Sequence, residues 1–154
     1  MKCLAAIIVL ACLESRGSPV LAQVQDEDVS AFAVSIPAIM TKVPVGPTAL
    51  IYSERNAGLA QKLAVRTGKK IDPESNRLVC HESSVSHVNV CSIKDAASLV
   101  ALGSVHFSAE TASVTFDIIF PDRFGALEHS LYRINLKRVG GLWVVVDVTQ
   151  FGMS

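Results

Sequence analysis

Residues 99–148 constrain the fold more than any other part of this chain. Short apolar runs alternate there with turn residues: LVALGSVHFS, SVTFDIIFP, SLYRINLKR and LWVVVDV, separated by AETA, DRFGALEH and VGG. Runs of this length with period-two alternation and glycine-bearing connections mark consecutive antiparallel strands. The stretch predicts a C-terminal β-meander of three or four neighbouring strands.

Parity then sorts the side chains. If the turn at Glu110 and Thr111 pairs Phe107 with Val114, then Val105, Phe107, Val114, Phe116, Ile118 and Phe120 share one face. If Val139-Gly140-Gly141 is a three-residue hairpin loop pairing Leu136 with Val144, the same face takes Tyr132, Ile134, Leu136, Leu142, Val144, Val146 and Val148. That face is the expected core. The other face collects His106, Asp117, Arg133, Lys137, Trp143 and Asp147, with Arg133 opposite Asp147 and Lys137 opposite Trp143. Three readings of it are open: a solvated surface, a groove with an acid and a base among His106, Asp117, Arg133 and Asp147, or a docking surface around the sole tryptophan. Residues 122–129 form a loop at the sheet end and add Arg123, Phe124 and His129. Trp143, Arg133, Asp117, His106, Arg123, Phe124 and His129 are therefore the candidate binding residues, and none is assigned a catalytic role.

The first half of the chain predicts helices. Phe32, Ile36, Ile39 and Met40 recur at helical spacing, but Pro37 interrupts them, and Ser35 can cap a second short segment. VPVGP over 43–47 is a linker, and TALIY over 48–52 a strand. Ser53 offers an N-cap for a helix over 54–67, with Ala57, Ala60, Leu63 and Ala64 on one face and Gly68 at its end. Residues 71–77 read as a loop. The expected fold is α+β, with N-terminal helices packed on a mostly antiparallel sheet of four to six strands.

The N-terminus gives an address. Met1-Lys2 is a minimal basic segment, and an apolar run of about 11 residues follows, against the roughly 20 that span a bilayer. Residues 1–22 read as a signal peptide cleaved after Ala22, 23–28 as a flexible leader and 29–154 as one domain. The alternative is a lipoprotein anchored through Cys12, since Val9-Leu10-Ala11-Cys12 is close to a lipobox. Either way the domain is exported, to the periplasm or the extracellular space.

Cys80 and Cys91 are the two cysteines that remain after signal removal, and in an exported chain they are most simply one disulfide. A metal site built from Cys80, His81, His87 and Cys91 is the rival reading, but the spacing matches no zinc pattern. No metal or other cofactor is expected. Removing Lys2, Arg16 and Glu14 leaves 12 cationic and 13 acidic side chains, so the basic stripe that nucleic acid needs is missing. No segment is expected to span a membrane. There is no GxSxG, phosphate-binding loop or dinucleotide fingerprint.

The run YRINLKRVGGLWVVVDV, from Tyr132 to Val148, resembles the closing hairpin of nuclear transport factor 2-like domains, with a glycine turn, a Trp and a Val-rich strand. The resemblance implies a curved sheet wrapped over N-terminal helices to form a cone with a cavity. That family holds both enzymes and non-catalytic domains, so no residue is carried over as catalytic. The leading expectation is a non-catalytic binding or accessory protein with an unknown protein or small-molecule partner. The alternatives are an enzyme with acid and base residues in a cone-shaped pocket, or a small secreted inhibitor.

Overall fold

A computed structural model describes residues 19–82 and 89–154, with side chains from residue 26 onward. Residues 1–18, which hold most of the signal segment and Cys12, lie outside the described residues, as does His87.

The first element is a helix, α1 (Pro19–Met40), which runs through Pro37 without restarting. Ala31, Phe32, Ser35, Ile36 and Ile39 are all fully buried, and a restart at Pro37 would rotate the two isoleucines off the stripe that Phe32 begins. Packing therefore outweighs the one lost backbone bond. Ser35 does not cap a new segment; its Oγ donates to the Ala31 carbonyl at 2.8 Å. Residues 23–28 lie within α1, where the sequence suggested a leader, and Glu27 binds Arg138 far along the chain.

A strand β1 (Thr48–Tyr52), a short 3-10 turn (Glu54–Asn56) and the helix α2 (Ala57–Thr67) follow, and α2 ends at Gly68 as expected. Only Ala60 and Leu63 of the expected apolar face are buried, and the Ser53 side chain makes no cap hydrogen bond. The stretch read as a loop holds a short strand, β2 (Ile71–Pro73), and one helical turn, α3 (Glu74–Arg77). The hairpin β3 (Leu78–Glu82) and β4 (Asn89–Ile93) forms its own two-stranded sheet, with Cys80 directly opposite Cys91 and the two joined as a disulfide.

The meander consists of β5 (Ser98–Ser108), β6 (Thr111–Pro121), β7 (Leu127–Val139) and β8 (Leu142–Met153). Together with β1 and β2 it makes a six-stranded sheet in the order β2-β1-β5-β6-β7-β8. β1 runs parallel to both β2 and β5, and all other pairs are antiparallel. The fold is thus α+β with a mostly antiparallel sheet. α1 and α2 cover one face, where Phe32 meets Phe116 edge-on with centroids 5.5 Å apart. A smaller apolar cluster of Ile51, Leu99 and Ile119 lies apart from that core, with Leu78, Ile93 and Leu127 against it.

Two registers differ from expectation, with different consequences. In β5–β6 a bulge at Gly103 and Ser104 pairs Val105, not Phe107, with Val114. That is a shift of two, so the faces are unchanged. In β7–β8 the turn is the two-residue Gly140-Gly141, both at positive φ (58° and 82°), as a two-residue hairpin requires. Val139 then pairs with Leu142, and Leu136 with Val145 instead of Val144. A shift of one turns β8 over. Trp143 is 8% exposed and packed in the core, while Leu142, Val144 and Val146 are 72%, 46% and 63% exposed. A bulge between Asp147 and Val145 then restores parity, so that Val148 pairs with Ile134 and packs on the core as expected.

Candidate functional site

The outer face of the sheet, away from α1 and α2, takes His106, Asp117, His129 and Arg133 of the candidate residues, and β6 and β7 order this face in rows. Asp117 pairs with Leu131, Thr115 with Arg133, Ser113 with Asn135 and Thr111 with Lys137. On β8, Gly152, Thr149, Asp147 and Val144 extend the same four rows. His106 joins the Ser113 row from β5.

The expected pairings across this face are replaced by others. Arg133 lies opposite Thr149, and its guanidinium sits over the Phe151 ring, 4.9 Å from the centroid. Asp147 lies opposite Asn135, whose amide donates to Asp147 Oδ1 at 2.7 Å. The turned strand also changes the cation at the tryptophan. Arg138, not Lys137, lies over Trp143 at 4.5 Å, and it also binds Glu27 of α1. Trp143 packs against Phe107 with centroids 5.6 Å apart. It therefore belongs to the core and cannot centre a docking surface.

His106, Asp117, Arg133 and Asp147 share the outer face but are not brought into one constellation. His106 contacts Ser104 at 3.4 Å. Asp117 instead meets His129, which lies in β7 and not in the loop, with Oδ2 2.7 Å from Nδ1. Asp117 Oδ1 is buried without a hydrogen-bond partner. A carboxylate on Nδ1 fixes the ring and leaves Nε2 as the working nitrogen, the arrangement of an oriented general base. The sequence held no signal for this pair, because its geometry comes from adjacent rows of two strands whose register is set elsewhere.

The loop is shorter than expected and closes on itself. Asp122 Oδ1 accepts from the backbone N–H of Phe124 at 2.7 Å and of Ala126 at 2.8 Å, an Asx-type turn. Arg123 stacks over Phe124, 4.6 Å from its centroid, and Phe124 stands 80% exposed at the tip. These two residues lie apart from the rows that carry Arg133 and Asp147.

Two carboxylates are displaced from their usual behaviour. Burial pushes the Asp72 carboxyl up, but hydrogen bonds from Lys70 and Arg77 and the charges of both bring it below the ordinary carboxylate range. Its bond to Arg77 Nε is 2.8 Å. Asp28 is pushed up, by burial first and by the neighbouring Glu27 charge second. The first lies on β2, at the sheet edge opposite β8, and fixes that strand to α3; the second lies on α1.

A groove of about 480 Å³, open to solvent, runs between His106, Ser113, Lys137 and Val146. Between the helices and the sheet, Phe32, Ile36, Phe116, Ile134 and Leu136 are packed at 0–1% exposure, and a larger open groove of about 560 Å³ lies between α1 and α2, lined by Asp26, Val29, Lys62 and Arg66. No group of three or more His, Cys, Asp or Glu able to hold a metal ion occurs among the described residues. No described helix is long and apolar enough to cross a membrane. What the turned strand leaves on the outer face is an apolar surface. Leu142, Val144 and Val146 lie at the Gly140-Gly141 end, joined by Val139 at 57%, and Phe151 and Leu131 lie toward the other end at 48% and 37%.

No family model, no curated protein and no solved structure matches the chain.

Proposed function

We propose that the protein is an exported, non-catalytic binding domain and that the outer face of the β7–β8 hairpin is its contact surface. The observation that carries this reading is the exposure of Leu142, Val144, Val146 and Phe151 on one side of one hairpin. Single exposed apolar residues are ordinary, whereas several grouped along one side of one hairpin mark a surface that something covers. The filled core beneath the helices favours binding over catalysis in a cone-shaped pocket, because a substrate would have no enclosed place to go. The apolar run after Lys2, the cleavage-type residues at Val20-Leu21-Ala22 and the Cys80–Cys91 disulfide support export.

A photo-crosslinking residue placed at Val144 in exporting cells tests the contact surface, with the same residue at Val65 as control. Val65 is 84% exposed on α2, on the opposite side of the sheet. Adducts confined to the Val144 position are expected. Equal yields at both positions, or none at Val144, would contradict the reading.

The Asp117–His129 pair favours a second reading, an acid–base enzyme working on the outer face. On that reading His129→Ala abolishes a turnover that His106→Ala leaves intact, whereas the binding reading expects both variants to keep full partner recognition.

A further inference from the structure

We infer that the occupant of the β7–β8 outer face is a second copy of this chain, seated about a two-fold axis; this rests on the contact surface proposed above. Three features of the surface argue for it.

The first is area. The six side chains at 131, 139, 142, 144, 146 and 151 are 37–72% exposed, which together make several hundred Å² of largely apolar surface, on the order of the largest patch a monomer ordinarily leaves open. An interface of standard size takes about 800 Å² from each partner, of which roughly 60% is apolar. The patch therefore supplies the apolar content of a whole interface.

The second is the arrangement of that area along the strand. β8 carries Leu142, Val144 and Val146 at one end, Asp147 and Thr149 in the middle and Phe151 at the other end, where Leu131 of β7 joins it. A two-fold axis lying in the contact plane, perpendicular to β8 and through its middle, sets the two outer faces against each other with their strands reversed. It lays Leu142, Val144 and Val146 of one copy on Phe151 and Leu131 of the other, and does so twice. An isologous contact needs a surface of this kind, one whose two halves fit each other.

The third is charge. Arg133 and Asp147 lie in adjacent rows at the centre of the patch, both exposed. Among the described residues, Arg133 has no carboxylate partner and spends its guanidinium on the Phe151 ring, while Asp147 is bonded only by the neutral Asn135 amide. The same two-fold axis brings Arg133 of each copy to Asp147 of the other. Two ion pairs then form at the centre of the contact, inside an apolar surround where they are least screened.

Sedimentation equilibrium of the purified, oxidised chain from micromolar to millimolar concentration tests this. A reversible dimer is expected. Arg133→Glu and Asp147→Arg should each weaken it by at least about tenfold, and the two together should restore most of that loss. A folding defect in either single variant would not be repaired by the other, so restoration separates pairing from misfolding, and unchanged thermal melts check the fold. A wild-type chain that stays monomeric, or single variants that dimerise like wild type, would overturn the inference. A monomeric chain with crosslinks confined to Val144 and joined to a different protein overturns only the second copy. A monomeric chain with no such crosslinks overturns the contact surface as well.

Discussion

At the scale of single residues, Gly103, Asp72 and Asp28 each make a measurable claim. A Cβ built on Gly103 would lie 2.4 Å from Thr115 Oγ1 and 2.6 Å from its carbonyl oxygen. The bulge that turns β5 thus depends on a missing side chain, because Thr115 is held there by the ladder and cannot retreat. Gly103→Ala should cost about 1–3 kcal/mol, read as a lower thermal midpoint. Asp72 titrates below the ordinary carboxylate range when folded, so its stabilisation is present above the unfolded value of about 3.9 and is lost as pH falls through the lower folded one. Asp72→Asn should destabilise at pH 7, and the gap from wild type in urea midpoint should shrink in acid. Asp28 is raised, so its ionisation opposes folding as pH rises through the folded value. Asp28→Asn should then raise the midpoint at pH 7, the opposite sign from Asp72→Asn.

At the scale of elements, the disulfide and the β7–β8 turn decide what the sheet can do. A two-stranded hairpin on its own is marginal in water; β3–β4 pairs with no other strand and leans on the large sheet through Leu78 and Ile93, with Cys80 exposed and Cys91 half-buried. Closing a loop of about 12 residues is worth about 3 kcal/mol by chain entropy. Reduction should therefore free the β3–β4 amides to exchange while β6 and β7, paired on both sides, stay protected. Hydrogen exchange with and without reductant checks this, and loss of protection across the whole sheet would contradict it. The strands of the meander were legible in the sequence, because period-two alternation and glycine turns are local signals; β2, three residues long, was not. So was the disulfide, from cysteine number and the signal-like N-terminal sequence. The face of β8 was not, since it hinges on whether Val139 counts as loop or strand. Gly-Gly between apolar runs favours a two-residue turn, and that signal would have placed Trp143 in the core. The bulge between Asp147 and Val145 on β8 leaves no comparable mark, and the Asp117–His129 contact inherits its geometry from registers fixed many residues away. Likewise α1 runs through Pro37 because Ile36 and Ile39 are buried, a tertiary effect that local propensity misses.

At the scale of the whole molecule, the sheet has two unlike faces. One is sealed by α1 and α2, with α1 tied to the β7–β8 hairpin by Glu27 and Arg138. The other is partly covered at the β1–β5–β6 end by Leu78, Ile93 and Leu127 and left apolar at the β7–β8 end. Arg138 is half-buried between Glu27 and the Trp143 ring. Truncating it to Ala should loosen α1 from the hairpin at a cost of about 1–3 kcal/mol, seen as lower protection in α1 and as iodide quenching of Trp143, which the wild-type chain resists. The turn of one residue in β8 that buried Trp143 is also what uncovered Val144 and Val146, so core and contact surface have one origin. That link is tested most directly by methyl relaxation in the presence of a soluble paramagnetic chelate, followed as protein concentration rises. The methyls of Leu142, Val144 and Val146 should lose their exposure to the chelate with concentration while Val65 keeps it. If the four stay equally accessible at every concentration, the outer face of β7–β8 is not where this protein meets another copy of itself.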